Sequence, residues 1–311
     1  MKLSIIIPTY NREELLCRTI DSVLSEIRNS DYQEDCELIV VDQTKEHSSD
    51  VILFLDNKKN NSNFKYLYIE NPNLPNARNV GLSYSEGDFI LFLDDDVVLH
   101  EGLINTLIET YDKNKEISSV VGMDVLKNLS GSNIILESES RLKKIFKLLL
   151  TRLFCFNKAS VITNFGLMLS NRGKSGEKYA DSGKGCIMSF KKSLLLEIGE
   201  FDINYQGNAL REESDVFIRI KRKRKMVLFN PAIKIDHIME NEGGCRAEKS
   251  EDYWQMFFNN QLYFYRKNFG FPNWYIKILL FANIRYLRRK KYDVDKMFVN
   301  AYYRSVNLLG R

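Results

Sequence analysis

Three histidines, and five cysteines scattered singly along 311 residues, exclude several chemistries at the outset. Cys17, Cys36, Cys155, Cys186 and Cys245 contain no CxxC pair. An odd, dispersed set argues against a disulfide framework and against a structural zinc site, so reduced thiols in a cytoplasmic protein are expected. No apolar run approaches the roughly eighteen residues that a bilayer-spanning helix needs. The run Leu3 to Pro8 is too short for a signal peptide and no small-residue cleavage site follows it, which again points to the cytoplasm. No GxGxxG follows that run, which argues against a nicotinamide or flavin dinucleotide. The formal net charge is only +4, so bulk electrostatics give no support for a nucleic-acid partner.

What is present is the patterning of an α/β protein, long enough for one large domain or two small ones. Leu3 to Pro8 reads as a buried strand, and Thr9, Tyr10 and Asn11 supply polar groups suited to a turn and a helix cap. Leu15, Leu16, Ile20, Val23, Leu24 and Ile27 then repeat at helical spacing. Leu38 to Val41 is apolar without alternation, as in a parallel strand covered on both faces, and ends at Asp42. A weaker strand, Tyr66 to Ile69, and a short helix around Asn76 to Ser85 lead to Phe89–Leu93, closed by Asp94, Asp95 and Asp96. Strand and helix in alternation predict a mostly parallel, Rossmann-like sheet flanked by helices. In such sheets ligands bind at the carboxyl ends of the strands, where Asp42 and the Asp94 cluster sit.

Three adjacent carboxylates repel one another, and nothing in the flanking sequence neutralises them. On an extended segment Asp94 and Asp96 point one way and Asp95 the other. Two carboxylates on one side of a strand end make a site for a hard cation, Mg²⁺ or Mn²⁺. The plainer alternative is a solvated acidic turn capping a helix that starts near Glu101.

The ordered segments Ile5-Ile6-Ile7-Pro8-Thr9-Tyr10-Asn11, Val40-Val41-Asp42, Ala77-Arg78-Asn79-Val80-Gly81 and Phe92-Leu93-Asp94-Asp95-Asp96 resemble those of family 2 glycosyltransferases, inverting enzymes with the GT-A fold. The resemblance continues through Gly185–Phe190, Ile198–Asp202, Glu212-Glu213-Ser214-Asp215 and His237, covering residues 3 to about 246. It implies a GT-A catalytic domain over 1–246, with a nucleotide-sugar-binding half (1–124), an acceptor half (125–246) and a helical C-terminal extension (247–311). Thr9, Tyr10 and Asp42 then match positions that hold the nucleoside, with Asp95 beside them. Arg78 lies near the nucleotide, where a guanidinium also suits a diphosphate, and Asp94 and Asp96 hold the metal.

Inverting transfer requires a carboxylate to take the proton of the acceptor hydroxyl as it attacks. The family's acidic motif places that base at Glu213, a glutamate where aspartate is usual, with Glu212 and Asp215 as alternates. At least one of these acids is expected simply to favour the helix start through the macrodipole. The resemblance makes His237 a metal or diphosphate ligand, and Glu240 to Arg246 a loop closing over the donor. Gly185 falls in the part of the family pattern that builds the acceptor site, and Lys184 beside it suits a phosphate-bearing acceptor. His47 and His100 read as surface loop residues.

Arg141 to Phe154 combines basic residues with leucine and phenylalanine, and the tail from Tyr253 is aromatic and carries Arg285, Arg288, Arg289, Lys290 and Lys291. Both patterns suit a peripheral helix on the anionic inner face of the cell membrane, serving a glycan or lipid-linked sugar acceptor. Packing on the catalytic domain is the competing expectation for the tail's apolar residues. Two further readings of the whole chain are a sugar-phosphate nucleotidyltransferase and a non-catalytic sugar-binding module. The first lacks its glycine-rich, basic loop after the first strand; the second would have no use for the metal carboxylates kept here.

Overall fold

The computed structural model describes residues 2–126, 149–171, 176–238 and 250–310. Its first half runs β1 (Leu3–Thr9), α1 (Glu14–Asn29), β2 (Cys36–Asp42), α2 (Ser49–Lys58), β3 (Phe64–Tyr68), α3 (Leu74–Tyr84), β4 (Phe89–Leu93), β5 (Val97–Leu99), α4 (Leu103–Lys113) and β6 (Ile117–Asp124). After it come β7 (Ser160–Ile162), β8 (Met168–Ser170), β9 (Lys178–Tyr179), β10 (Ile187–Lys191), α5 (Lys192–Ile198), α6 (Glu212–Arg222) and β11 (Met226–His237). The chain closes with α7 (Glu251–Phe269), α8 (Asn273–Leu279), α9 (Phe281–Arg289) and α10 (Val294–Leu309).

The main sheet has the order β3-β2-β1-β4-β10-β6-β11-β5, with β9 added on β11. β1 to β4 are mutually parallel, β10 runs antiparallel between β4 and β6, and β6 and β11 are parallel again. The reversal at β10 brings its beginning to the edge where β1, β2, β4, β6 and β11 end. That edge therefore collects residues from six strands.

Both faces of the sheet are covered at β1, β2 and β4, which explains why these strands show no alternation. Ile5, Ile7, Leu38 and Val40 pack under α1 and α4, while Ile6, Ile39 and Val41 pack on the other face with α3, α5 and α6. α3 lies especially close, since a Cβ on Gly81 would stand 2.4 Å from Ile6 Cγ2. The second core continues without a break into Phe258, Leu262 and Phe264 of α7 and Phe298 of α10. The tail's apolar residues are thus spent largely on packing.

The structure shifts several sequence expectations. The third strand starts at Phe64 and ends at Tyr68, two residues ahead of expectation at its start, because Leu38 N–H reaches back to Asn63 and fixes the register. α2 was not foreseen, because it buries only Val51 and Leu55. Asp94–Asp96 do not cap a helix at Glu101: β5 intervenes and pairs antiparallel with β11. Asn230-Pro231 lies within β11, at an irregularity between Phe229 and Lys234. The loop Glu240 to Arg246 and the basic residues Arg141 to Lys147 lie outside the described residues.

Candidate active site

Two arginines remote in sequence supply the charge that the acidic cluster's own neighbours lack. The acids do not continue the strand: Asp95 and Asp96 form the turn between β4 and β5, and Asp95 Oδ2 accepts from Thr9 Oγ1 at 2.7 Å. Buried Arg12, just past the β1 turn, approaches Asp95 at 3.7 Å and Asp96 at 3.4 Å. Burial pushes the Asp95 carboxyl up to about 7, against the hydrogen bond from Thr9. Thr9 and Asp95, both expected at the nucleotide, therefore face each other inside the protein, while half-buried Tyr10 stands at the strand end. Thr19 of α1 pins the turn from below, its hydroxyl accepting from Val97 N–H at 3.1 Å.

Arg78, in the first turns of α3, is fully buried and joins the two halves of the site. Its guanidinium pairs with Glu212, lies 3.6 Å from Asp94 Oδ1 and donates to the Gly185 carbonyl at 3.4 Å. A Cβ on Gly185 would come 3.3 Å from the same guanidinium, so the small residue leaves room for the arginine. Burial pushes the Glu212 carboxyl above the usual range, and Arg78 pulls it back. The other Glu212 oxygen, Oε2, is buried with no hydrogen-bond partner among the described residues.

The three acids that start α6 have three different surroundings. Glu212 is the partner of Arg78. Asp215 is fully buried and taken up by Arg219 at 2.9 Å, Lys267 at 2.9 Å and Asn268 at 2.8 Å, a clamp between α6 and α7. Glu213 stays half-exposed at the helix start, beside the Arg78–Glu212 pair. Both oxygens of Asp215 are engaged in structure, which leaves Glu213 as the acid with an open approach.

His237, at the end of β11, lies between two carboxylates. Its Nε2 stands 2.8 Å from Asp96 Oδ1 and its Nδ1 3.7 Å from Asp124 Oδ2 at the end of β6. Burial opposes its charge, but the neighbouring carboxylates of Asp124 and Asp96 outweigh burial and raise it to about 12. Ligand atoms of Asp94, Asp96 and His237 lie within 4.8 Å of one another, a set of two hard oxygens and an imidazole that fits a divalent ion. Asp124 behind His237 suits the outer carboxylate that fixes a ligand imidazole's orientation. Lys184 is turned toward this same Asp124, at 3.4 Å.

Asp42 ends β2 with no exposed surface. Its Oδ1 accepts from Thr44 N–H at 2.7 Å, and Oδ2 is shared by His47 Nε2 at 2.6 Å and Tyr66 OH at 3.0 Å. His47 is thus no surface residue: its side chain is 6% exposed, and Nδ1 sits 2.8 Å from Glu13. Burial works against the imidazolium, yet the bonds to Asp42 and Glu13 raise it above 6.5. A raised histidine gives stability that is fully present below about pH 6.5 and lost as pH rises through the folded-state value. Urea melts at pH 6 and pH 9 are therefore expected to show a wild-type advantage over His47→Gln at pH 6 that shrinks at pH 9. A gap of the same size at both values would mean that His47 acts by packing alone.

A family model described as Glycosyl transferase family 2 matches residues 4–168. The chain is 34% identical over 121 residues to the poly(ribitol-phosphate) beta-N-acetylglucosaminyltransferase TarP of Staphylococcus aureus, an alignment covering 39% of this chain and 36% of TarP. It is 30% identical over 246 residues to the GalNAc(5)-diNAcBac-PP-undecaprenol beta-1,3-glucosyltransferase of Campylobacter jejuni, covering 78% of this chain and 66% of that enzyme. Among solved structures, the Pyrobaculum calidifontis mannosyltransferase PcManGT in complex with GDP-Man and Mn²⁺ superposes with a TM-score of 0.55 at 14% identity, covering 99% of this chain and 78% of that one. That likeness is one of fold.

Proposed function

The chain belongs to glycosyl transferase family 2, and we propose that it moves a sugar, with inversion and with a divalent metal, from a nucleoside diphosphate to an acceptor hydroxyl. The observation that carries this reading is the meeting of Asp94, Asp96 and His237 with the Arg78–Glu212 pair at one sheet edge, Glu213 standing open beside them. Asp94, Asp96 and His237 would hold Mn²⁺ or Mg²⁺, which when bound offsets charge on the departing diphosphate. Arg78 presents a fixed cation next to Asp94, and Arg12 keeps Asp95 and Asp96 from driving each other apart. Glu213 accepts the acceptor's proton. Asp42, with His47 and Tyr66, forms the wall toward the nucleobase.

The relatives act on poly(ribitol-phosphate) and on an undecaprenol-linked glycan. This supports a role in bacterial surface polysaccharide or glycolipid synthesis at the cytoplasmic face of the membrane, with a glycan or lipid-linked sugar as acceptor. The GDP-Man and Mn²⁺ of the mannosyltransferase complex support a nucleotide-sugar donor and leave Mn²⁺ ahead of Mg²⁺.

Calorimetric titration with UDP, dTDP and GDP, first with Mn²⁺ and then with EDTA, tests the proposal. One nucleotide is expected to bind, with affinity lost on chelation and in Asp96→Ala. A folded protein that binds none of the three would remove the donor site as drawn.

A further inference from the structure

The end of the stretch Arg141 to Phe154 and the tail, far apart in sequence, come together around Phe165. Residues 149–154 are helical and leave Leu149 and Leu153 exposed, with Phe156 just beyond at 78%. Phe154 packs on Phe165 at 5.9 Å, and the Phe165 carbonyl accepts from Tyr275 OH of α8 at 3.3 Å. Tyr275 in turn stacks edge-on against Trp274, which is 65% exposed. A stripe begins at Trp274: Trp274 and Ile278 share one face of α8, and Phe281, Arg285 and Arg289 share one face of α9, the two helices meeting at Leu280. Trp274, Ile278 and Phe281 are large, apolar and more than half exposed, and Arg285 and Arg289 are exposed cations.

Next to the basic half of this stripe, between α9 and α10, lies a cavity of about 480 Å³. Its floor is apolar, from Ile284 and Phe298, and Lys277, Arg285 and Arg289 stand around its mouth. Arg288 there is already bound by Asp295 at 3.0 Å. An apolar floor under a ring of cations complements a phosphate carried on a hydrocarbon chain. A free anion would leave the floor unused, and an apolar peptide would leave the cations unmatched.

We propose that this face, from Phe154 and Phe165 across Trp274 to Arg289, docks on the surface of an anionic bilayer, with one lipid phosphate and its first methylenes in the cavity between α9 and α10. The proposal deepens the reading of a lipid-linked acceptor and rests on it only for its purpose. Trp274, Ile278 and Phe281 enter the interface, and Arg285 and Arg289 meet the phosphates. Among the described residues no helix is long and apolar enough to cross a membrane.

The chain's two tryptophans allow a direct test, because Trp254 is buried and Trp274 is exposed. The full chain, without nucleotide or acceptor, is mixed at low salt with phosphatidylglycerol vesicles or phosphatidylcholine vesicles, or with inorganic phosphate. Only phosphatidylglycerol vesicles are expected to bind the protein and shift its emission to the blue. Ile278→Glu with Phe281→Glu is expected to abolish both effects, and Arg285→Gln with Arg289→Gln to weaken binding roughly tenfold or more. No binding to phosphatidylglycerol vesicles, binding unchanged in both double variants, or binding without a shift of Trp274 would each overturn the proposal. So would equal capture by an RNA homopolymer competing for the face. Nucleotide titration of the same variants reports the donor site separately, so failure here and failure there are distinguishable.

Discussion

Arg78→Met is expected to lower folding stability by about 3 kcal/mol, the lower end of what a broken buried ion pair costs. The lower end applies because the Glu212 carboxyl, already raised by burial, can take up a proton once its partner is gone. The loss should appear as a shift of the urea midpoint with an unchanged slope. Adding Glu212→Leu replaces the pair by apolar groups and is expected to recover most of that stability. It should not recover turnover, because Arg78 also sits 3.6 Å from Asp94 and against the Gly185 carbonyl. Losing a fixed donor of this kind is expected to cost about a hundredfold or more in kcat. A double variant as active as wild type would show that Arg78 is a bolt between α3 and α6 with no part in the reaction.

The second large effect is expected at Glu213. Glu213→Gln keeps the shape and removes the proton acceptor, so kcat should fall by roughly 10² to 10⁴. The nucleotide affinity and the urea midpoint should stay where they are, because Glu213 makes no buried ion pair among the described residues. Glu212→Gln should behave oppositely, moving the midpoint, and Asp215→Asn should weaken the α6–α7 clamp. If Glu213→Gln turned over at the wild-type rate while Glu212→Gln did not, the base would be Glu212.

Sequence reading succeeded where one physical signal stood clear of its surroundings. Ile5–Ile7 and Leu38–Val41 are legible because a parallel strand buried on both faces has no polar side to interrupt it, and the polar residue that ends each run marks the sheet edge. The acidic cluster after Phe89–Leu93 is legible for the same reason. What neutralises it was not, since Arg12 and Arg78 lie 84 and 16 positions from Asp96 and Asp94 and carry no local mark of pairing. His47 was misplaced at the surface because it sits in the polar stretch Gln43 to Asp50, where nothing reveals that both ring nitrogens face carboxylates. Asp124, the outer partner of His237, ends β6 inconspicuously, and only the parallel pairing of β6 with β11 brings the two together. β5 was hidden behind the acids it follows. Three residues are too few for a periodic pattern, and their partner β11 lies over a hundred positions away.

The clamp on Asp215 bears on how such a chain can be reshuffled. Lys267 reaches both Asp202, at 2.6 Å, and Asp215, and Tyr263 OH donates to Asp202 at 2.7 Å. A cut at residue 246 therefore takes Lys267 from half-buried Asp202 and from buried Asp215, which keeps only Arg219 as its cation, although the cut falls where the family resemblance ends. A terminal segment lacking Lys267 and Asn268 would leave Asp202 and Asp215 short of partners. The unit that can be grafted intact therefore runs from Asp202 through Asn268.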